Sequence, residues 1–337
     1  MGREIRVWKH SRWDCVMLAL SVTQFVATLL FAINWENITA LGRAAGFTLL
    51  VLLTVYNIIV VSHLFTHAPW FSSSLLNRFV SMLNSVNIGQ SVQTYQLTHV
   101  RNHHRYNNDQ PGVDGQTRDS SSTYRGGASG EHVSVVRYAL VGAVLTLGSI
   151  ARVLLSVTRL WRVGAHELEL LSLLPKSAAK RKWELRQIQL DRMVQFFAVG
   201  LFLAISWKWF LLCYLPAFYL ALALVNVQNY YEHYGAEPEN RYANSVSYYG
   251  SLYNLLTFND GYHQEHHLRP LAHWTQMPRV TVEYSDKLNH EERIVSPVPA
   301  ILGALHRNRK LLHRDRELVA PPVSSAPNTL SKAAAGQ

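Results

Sequence analysis

Cysteine is nearly absent from this 337-residue chain, which contains two, Cys15 and Cys213, both within apolar runs. Two such residues cannot form a disulfide framework, a zinc ribbon or a Cys-x-x-Cys pair. Charged residues are also scarce, at 16% of the chain, against about 25% in ordinary soluble proteins. Alternating strand patterns are weak throughout, and no internal repeat is present. We therefore predict a mainly helical chain that is not an ordinary soluble domain.

Acidic residues are fewer than basic ones, and the formal net charge is +10. A basic balance suits nucleic acid, anionic lipid or an acidic protein partner. The sequence has neither a basic motif nor a stacking surface for nucleic acid, so we expect no nucleic-acid partner. Hydrophobic residues make up 48% of the chain, and the mean hydropathy is near zero. This balance indicates a few membrane spans that carry a sizeable polar cap.

Two long apolar runs, residues 15–33 and 45–61, contain no charged side chain. A helix of about 17–25 residues crosses a bilayer, so both runs qualify as spans. The segment before the first run is basic, with Arg3, Arg6 and Lys9, and the run lacks a small-residue cleavage pattern. We therefore predict a retained first span that starts in the cytosol, and a hairpin formed by the two runs.

A second hairpin is predicted in the apolar stretch that ends at residue 227, because this stretch is too long for one crossing. Its arms would be residues 193–205 and 209–227. The Trp207-Lys208-Trp209 sequence between the arms is typical of a turn at the aromatic belt of a membrane. Pro216 in the second arm is tolerable inside a helix bundle.

The apolar residues 135–157 are predicted to form a helix that lies in the membrane interface. A crossing would place residues 159–192 outside, although they include eight Lys or Arg and four acidic residues. It would also separate the later histidines from the earlier ones. The predicted fold is therefore all-α and integral to the membrane, with two transmembrane helical hairpins, about four spans, under a cytosolic helical cap.

The chain is short enough for one membrane domain, which we predict over residues 1–318. Residues 110–130 are rich in Gly, Ser, Asp and Thr, which predicts a flexible surface loop. Residues 319–337 contain Pro-Pro, Ser-Ser and Ala-Ala-Ala, and this composition predicts a disordered tail.

Histidine is abundant, with 16 residues, and nine of them fall in four groups. The groups read HLFTH, HVRNHH, a single His after NYYE, and HQEHH, and they comprise His63, His67, His99, His103, His104, His233, His263, His266 and His267. The i, i+4 spacing of the first group puts both imidazoles on one helix face. In the second group His99 and His103 share a face, and His104 points about 100° away, where it could serve a second metal.

The predicted topology brings all nine histidines to the cytosolic side of the membrane. His63 directly follows the second span, and His233 directly follows the last one. A lone histidine is usually an ordinary residue, whereas nine at ligand spacing on one side indicate metal. Imidazole suits iron, zinc, copper and nickel, but a zinc site uses about four ligands. Nine donors match two metals with four or five ligands each, which leaves positions open for oxygen.

Polar residues beside the groups are candidates to orient the ligand imidazoles by accepting their N–H bonds. They are Asp109, Glu232, Asn259, Asp260 and Glu265. Each could equally be a solvated loop residue. The zinc-protease motif His-Glu-x-x-His is not found, since Leu64 follows His63, and the first group therefore contains no general base.

The whole pattern resembles the membrane fatty acid desaturase and hydroxylase superfamily, whose three histidine boxes correspond to HLFTH, HVRNHH and HQEHH here. The resemblance extends over residues 62–273 and includes Asn229, four residues before His233. It implies an oxygen-dependent enzyme with two iron ions, in which the nine histidines are ligands and Asn229 is a weak or water-mediated one. It also implies two electrons per turnover from an external donor of the ferredoxin or cytochrome b5 type.

Three functions follow as hypotheses. The first, which we favour, is that the protein introduces a double bond into a fatty acyl chain of a lipid or acyl thioester. The second is a hydroxylase or ketolase that acts on a lipid, alkane or carotenoid with the same site. The third is of another class, a zinc-binding membrane hydrolase or a transporter. A transporter predicts ionisable residues within its spans, and residues 15–33 and 45–61 have no charged side chain.

Overall fold

A computed structural model of the chain describes residues 6–127, 130–155, 164–172 and 177–305. Within these ranges the regular secondary structure is helical, and extended pairing is limited to two isolated bridges. The predicted all-helical fold is therefore confirmed. Among the described residues, four continuous helical segments are long and apolar enough to cross a membrane: Asp14–Asn37, Ala40–His67, Val135–Leu155 and Ala178–His233. The tail that we expected to be disordered, residues 319–337, lies outside the described residues.

The first two helices, α1 (Asp14–Asn34) and α2 (Ala40–His67), form the predicted first hairpin. Their apolar windows have mean hydropathies of 2.2 and 2.3. The connection between them ends at Thr39, the N-cap of α2. Its side chain accepts a hydrogen bond from the Gly42 backbone N–H. The predicted spans fall inside these helices.

The helix α2 continues beyond its predicted span. It passes through a π-helical turn, Asn57–Ser62, and then carries the first histidine group, His63–His67, on the same helical rod. The side chains of Leu64 and Phe65 are buried in the core between the helices. The first histidine group is therefore an extension of a spanning helix, and its orientation is set by the bundle.

Two helices, α3 (Ser74–Asn87) and α4 (residues 92–106), reach into the bundle and return, an arrangement that the sequence did not predict. The turn between them contains Gly89, which has a positive φ of 66° and lies against the ring of Phe218. Polar side chains join α3 to α1 inside the bundle, and the participants are Ser21, Gln24, Asn84 and Asn87. The second histidine group lies on the returning helix, α4.

The helix α5 (Val135–Leu155) packs along the last spanning helix. The amide of Asn226 donates to the carbonyl oxygen of Ala139 at 3.2 Å, and Gly142 lies directly opposite Asn226. With a mean hydropathy of 1.9 over a helix of 21 residues, α5 is itself long and apolar enough to cross a membrane. Its interfacial placement stays a prediction.

After a short helix, α6 (Ala165–Ser172), the chain forms α7 (Ala178–Trp209) and α8 (Leu215–His233). The helix α7 bends near its end at Ser206, whose φ of −157° and ψ of 95° are not helical, and a π-helical turn, Phe210–Tyr214, leads into α8. Glu184 near the start of α7 pairs with Arg101, and His233 at the end of α8 contacts His103. Both arms therefore end on the same side of the bundle, as the predicted second hairpin requires.

Short helices follow α8 and are called the cap here; the cytosolic position predicted for such a helical layer stays a prediction. They are α9 (Ser251–Leu256), α10 (His263–Leu268), α11 (Met277–Glu283) and α12 (Ser285–His290), with single 3₁₀ turns at Trp274–Gln276 and Ala300–Leu305. The carboxylate of Asp14, at the start of α1, accepts hydrogen bonds from His273 Nε2 at 3.0 Å and Trp274 Nε1 at 2.9 Å. These buried bonds tie the cap to the bundle.

Candidate metal centre

All nine predicted ligand histidines converge at one end of the bundle, where they form two groups. The five-histidine group consists of His63, His67, His99, His104 and His266, and the four-histidine group of His103, His233, His263 and His267. Within each group, one nitrogen from every imidazole lies within 4.8 Å of the others. Segments up to about 200 residues apart in the chain thus supply one compact set of donors.

The second histidine group of the sequence divides between the two sites in a way that differs from our expectation. Its residues belong to a π-helical segment, Leu97–His103, in which N–H groups bond five residues back. His104 therefore lies one wide turn beyond His99, and their Nε2 atoms are 3.2 Å apart. The predicted separation of His103 from His104 is present, but His99 pairs with His104 and not with His103.

The third histidine group divides in the same manner. His263 and His267 lie on one face of the short helix α10 and join the four-histidine group, whereas His266 joins the five-histidine group. Nε2 of His263 lies 3.2 Å from Nε2 of His233, and Nε2 of His266 lies 3.0 Å from Nε2 of His63. Each contact brings together donors from segments far apart in the sequence.

Several of these nitrogen atoms are buried without a hydrogen-bond partner. They are both ring nitrogens of His67, Nε2 of His103, Nδ1 of His104, Nδ1 of His263 and Nε2 of His267. A buried polar atom without a partner raises the free energy of the folded state by about 1–3 kcal/mol. Bound cations would satisfy such lone pairs. The residues present therefore fit a metal centre.

The protonation state of the imidazoles is also the one that a metal requires. Burial lowers the pKa of five of them well below the ordinary value, and neighbouring imidazoles lower it further; these are His99, His104, His263, His266 and His267. They are neutral at physiological pH, and a neutral imidazole has a lone pair available for coordination. Two all-imidazole sets with five and four donors suit metals such as iron, zinc or copper.

Other contacts orient the rings. Nδ1 of His63 lies 3.0 Å from the carbonyl oxygen of Ile59, and Nδ1 of His233 lies 3.2 Å from that of Asn244. A bond from Nδ1–H to an oxygen leaves Nε2 as the free donor atom. Both contacts therefore favour the tautomer that directs Nε2 into the centre.

Asp119 also contacts the centre, although it is not among the residues predicted to do so. Its carboxylate is fully buried and lies 2.7 Å from Nδ1 of His103. Burial alone would raise the pKa of Asp119, but His103 and hydrogen bonds from Ser121 hold it below the usual value. Asp119 lies in the loop after the second histidine group, which we predicted to be flexible. The sequence signal that could have identified Asp119 is a carboxylate in the loop that follows His103 and His104.

The five polar residues expected to orient imidazoles have different positions. Asp260 lies 3.4 Å from Nδ1 of His63, and Glu232 lies 3.7 Å from Nδ1 of His263; both carboxylates are buried beside the ligands. Asn259 instead donates to the carbonyl oxygen of Trp274.

The other two acidic residues also bond elsewhere. Glu265 accepts from Ser247, Tyr249 and Thr281 within the cap. Asp109 accepts from the backbone N–H of Asp119 at 2.8 Å and from Arg118. For Asp109 the contribution to the centre is indirect, since it holds the loop that presents Asp119.

Asn229 lies on α8, one turn before His233. Its Nδ2 donates to the hydroxyl oxygen of Tyr138 at 2.6 Å, and Tyr138 in turn donates to the carbonyl oxygen of Ser121. Asn229 is therefore bonded toward α5 and the Asp119 loop. Its suggested role as a weak or water-mediated ligand stays a prediction.

Comparison with known proteins gives one family and two relatives. The fatty acid desaturase family matches residues 39–295, a range that contains all nine histidines. A sphingolipid delta(4)-desaturase DES1-like protein of Oryza sativa subsp. japonica is 27% identical over 273 residues, which cover 79% of this chain and 70% of that protein. A sphingolipid delta(4)-desaturase of Candida albicans is 49% identical over 49 residues, 14% of this chain and 13% of that protein.

Proposed function

Because this chain belongs to the fatty acid desaturase family, we propose that its histidine groups hold two iron ions and that it introduces a double bond into the acyl chain of a lipid. The observation that carries the proposal is the convergence of nine imidazoles, seven buried and two half-buried, into groups of five and four. The family match favours this proposal over the hydrolase and transporter hypotheses, since it covers the entire candidate centre. The chain is thus a desaturase-like membrane enzyme, and its metal and substrate are the proposal.

The histidines of the two groups would hold the metals as neutral donors. When bound, iron supplies the oxygen-dependent redox chemistry that removes hydrogen from an unactivated methylene, which amino-acid side chains cannot do. The carboxyl groups of Asp119, Asp260 and Glu232 lie behind ligand imidazoles, where they would fix the orientation of the rings. The protein's own part is therefore to hold the donors, orient them and exclude water.

The reaction would remove two hydrogens from the chain and reduce molecular oxygen to two waters. Its balance requires two further electrons, which an external donor of the ferredoxin or cytochrome b5 type would supply, and two protons from the solvent. The substrate would come from the bilayer, because the centre lies at the end of apolar spanning helices. Both relatives are named as sphingolipid desaturases, which makes a long-chain lipid the first substrate class to test.

We place the centre on the cytosolic side of the membrane. The segment before α1 is basic, and the positive-inside rule assigns such a segment to the cytosol. Asp14 at the start of α1 contacts His273, just after the third histidine group. The centre and the N-terminal segment therefore belong to the same side.

Expression in a host with simple lipids, followed by lipid mass spectrometry, tests the proposal. We expect a product that has lost two hydrogens, and about two iron ions per purified chain, one for each histidine group. His263→Ala should abolish the product. The matched control is His290→Ala, because His290 is exposed and belongs to neither group.

The outcomes separate the alternatives. A product that has gained one oxygen atom would assign the hydroxylase or ketolase activity to the same centre. A full complement of zinc with no iron would overturn the proposal, as would an unchanged lipid product in the His263→Ala variant.

A further inference from the structure

The cap helix α9 exposes an apolar face. The side chains of Leu252, Leu255 and Leu256 are 68%, 76% and 60% exposed. Their i, i+3, i+4 spacing puts all three on one side of the helix. Exposed apolar residues that lie singly on a surface need no explanation, whereas a contiguous group marks a site that meets another protein or a membrane.

The sequence around α9 differs from the rest of the cap in its charge. Residues 242–259 contain no charged side chain but four tyrosines. In the helix α11, by contrast, the exposed Val282 lies beside the exposed charges of Arg279 and Glu283. Tyrosine is enriched where a membrane meets water, and charged side chains are costly in lipid. The composition therefore favours a membrane environment for α9.

The level of α9 in the membrane follows from α2. At the end far from the candidate centre, Lys208 pairs with Glu36, and the guanidinium of Arg43 lies 4.6 Å from the ring centroid of Trp35. Such charged and aromatic groups are typical of a membrane boundary. Tyr56 follows Arg43 by 13 residues, which is about 20 Å along a helix. Because the hydrocarbon core is about 30 Å thick, Tyr56 lies inside it, about 10 Å from the boundary on the side of the centre.

Tyr56 holds α9 at this level. Its hydroxyl donates to the carbonyl oxygen of Leu256 at 2.6 Å. Leu52 and Leu49, which are 58% and 50% exposed, lie one and two turns before Tyr56 on the same face of α2. The exposed apolar surface of this span therefore continues through the ring of Tyr56 onto the leucines of α9.

The carbonyl groups at the end of α9 have donors from the protein. The last carbonyls of a helix lack a partner within the helix. Here the carbonyl oxygen of Leu256 accepts from Tyr56. That of Tyr253 accepts from the hydroxyl of Thr257 at 2.8 Å. Water would satisfy such groups at an aqueous surface, but in lipid each needs a donor from the protein.

We propose that α9 inserts its leucine face into the lipid leaflet on the side of the candidate centre, so that the bilayer is the partner of this part of the cap. The inference goes beyond the proposed function, because it depends on neither the metal nor the reaction. The amide of Asn254 donates to the carbonyl oxygen of Tyr248 at 2.9 Å and accepts from the Gly261 N–H at 3.0 Å. These bonds fasten α9 to the turn before α10. The leaflet that holds α9 therefore also holds the third histidine group at a fixed depth.

Site-directed fluorescence quenching tests this contact on the full-length protein in phosphatidylcholine vesicles. Single cysteines are placed in a Cys15→Ser/Cys213→Ala background and labelled with nitrobenzoxadiazole. The variants are Leu255→Cys in α9, Leu52→Cys in the span of α2 and, as the matched control, Val282→Cys in α11. The two quenchers are a nitroxide on the lipid acyl chain and aqueous iodide.

We expect the lipid nitroxide to quench the label at Leu255 to within about twofold of the label at Leu52, and iodide to leave both labels bright. Val282 is also exposed, at 53%, but it has charged neighbours, so its label should show the reverse. Leu252→Cys should behave as Leu255→Cys does, because the two side chains share a face. This second position guards against a local effect of the label.

Two results would overturn the inference. Quenching of the Leu255 label by iodide, at the level found for Val282, would place α9 in water. Protection from both quenchers would show that protein, such as a second copy of this chain, covers the face. Neither result depends on bound metal. A protein without iron or activity in which lipid quenches the Leu255 label would refute the proposed function and leave this inference intact.

Discussion

The carboxylate of Asp119 holds a ligand imidazole and a loop at the same time. Oδ2 accepts from His103 and from the backbone N–H of Asn108 at 2.8 Å, while Oδ1 accepts from the backbone N–H and the hydroxyl of Ser121. A carboxylate on Nδ1 selects the tautomer in which Nε2 is free for metal. Nε2 of His103 has no protein partner, as this role requires.

We expect Asp119→Ala to lower the metal affinity of the protein by about 10–100-fold, the range usual for such outer residues. The reason is that His103 would lose the acceptor that orients its ring. The measurement is iron retained per chain during dialysis against a graded series of chelator concentrations. Activity should fall in parallel with the iron content.

Asp119→Asn tests whether orientation or charge matters more. The asparagine keeps one acceptor oxygen, so it should recover part of the lost affinity. Asp114→Ala is the matched control in the same loop, because Asp114 is exposed and, among the described residues, accepts only from the nearby Gln116 N–H. If Asp119→Ala retained iron as well as Asp114→Ala does, Asp119 would have no orienting role.

The residue types of the centre could be predicted, but only some of the acidic residues beside them could, namely Asp260 and Glu232. Imidazoles at i, i+4 spacing indicate metal whatever the exact backbone. By contrast, Asp119 reaches His103 through a loop whose composition is typical of flexible surface segments. Glu265 lies between two ligand histidines in sequence, yet it points into the cap, toward Ser247 and Tyr249. The direction of a side chain beside a ligand depends on tertiary packing, which sequence spacing does not contain.

At the level of elements, the π-helical segment of α4 shows why the ligand pairing was wrong. The prediction used 3.6 residues per turn, which aligns His99 with His103. The wider turn of Leu97–His103 aligns His99 with His104 instead. Such π-helical turns are rare in proteins and frequent at functional sites, and nothing in the sequence HVRNHH distinguishes them from an α-helix.

The apolar pattern of the sequence predicted some of the helices but not others. The helices α1 and α2 were predictable because each contains an uninterrupted apolar run. The pair α3 and α4 was not, because the sequence of α3 includes many Ser and Asn residues. Asn84 and Asn87 are buried inside the bundle, where both bond to Ser21 of α1. Burial of paired polar side chains is invisible to a hydropathy pattern.

The turn between α3 and α4 depends on Gly89. A Cβ added there would lie 2.3–2.9 Å from ring atoms of Phe218, and its φ of 66° disfavours other residues. We expect Gly89→Ala to destabilise the protein by about 3 kcal/mol, from backbone strain of about 1–2 kcal/mol together with the steric clash. Thermal unfolding in detergent measures the loss.

Gly115→Ala separates the two contributions. Gly115 has a similar φ of 72°, but no atom lies within 4 Å of the position of an added Cβ. This control should therefore show the backbone strain alone, about 1–2 kcal/mol. Equal destabilisation by the two substitutions would show that Phe218 moves away freely and that the turn is not tightly packed.

At the scale of the whole molecule, the candidate centre brings together imidazoles from distant segments of the chain. Imidazoles from α2, α4, α8 and α10 bury their nitrogen atoms against one another. We expect chelation of the metal to lower the thermal midpoint. By mass action, roughly 4 kcal/mol of stability would be lost for metal present at about a thousand times its Kd. Restoring iron should restore the midpoint.

The metal-free protein should also lose stability as the pH falls. The pKa of His266, for example, is lowered by burial in the folded protein, whereas in the unfolded chain it has the ordinary value near 6.5. The unfolded state therefore binds more protons below that value, and stability declines with acidification. Unfolding of the metal-free protein between about pH 7.5 and 5.5 measures the slope. A midpoint that rises on acidification would contradict this expectation.

Two of the histidine pairs have a geometric consequence for the way the metals are held. His103 and His104 are consecutive residues, as are His266 and His267, yet the members of each pair belong to different groups. Consecutive Cα atoms are about 3.8 Å apart. Each pair therefore links the two sites through a single peptide unit. A shift of one metal would displace the ligands of the other through both peptide links. The spacing of the ions would therefore be set by the main chain, and the two positions should fill and empty together.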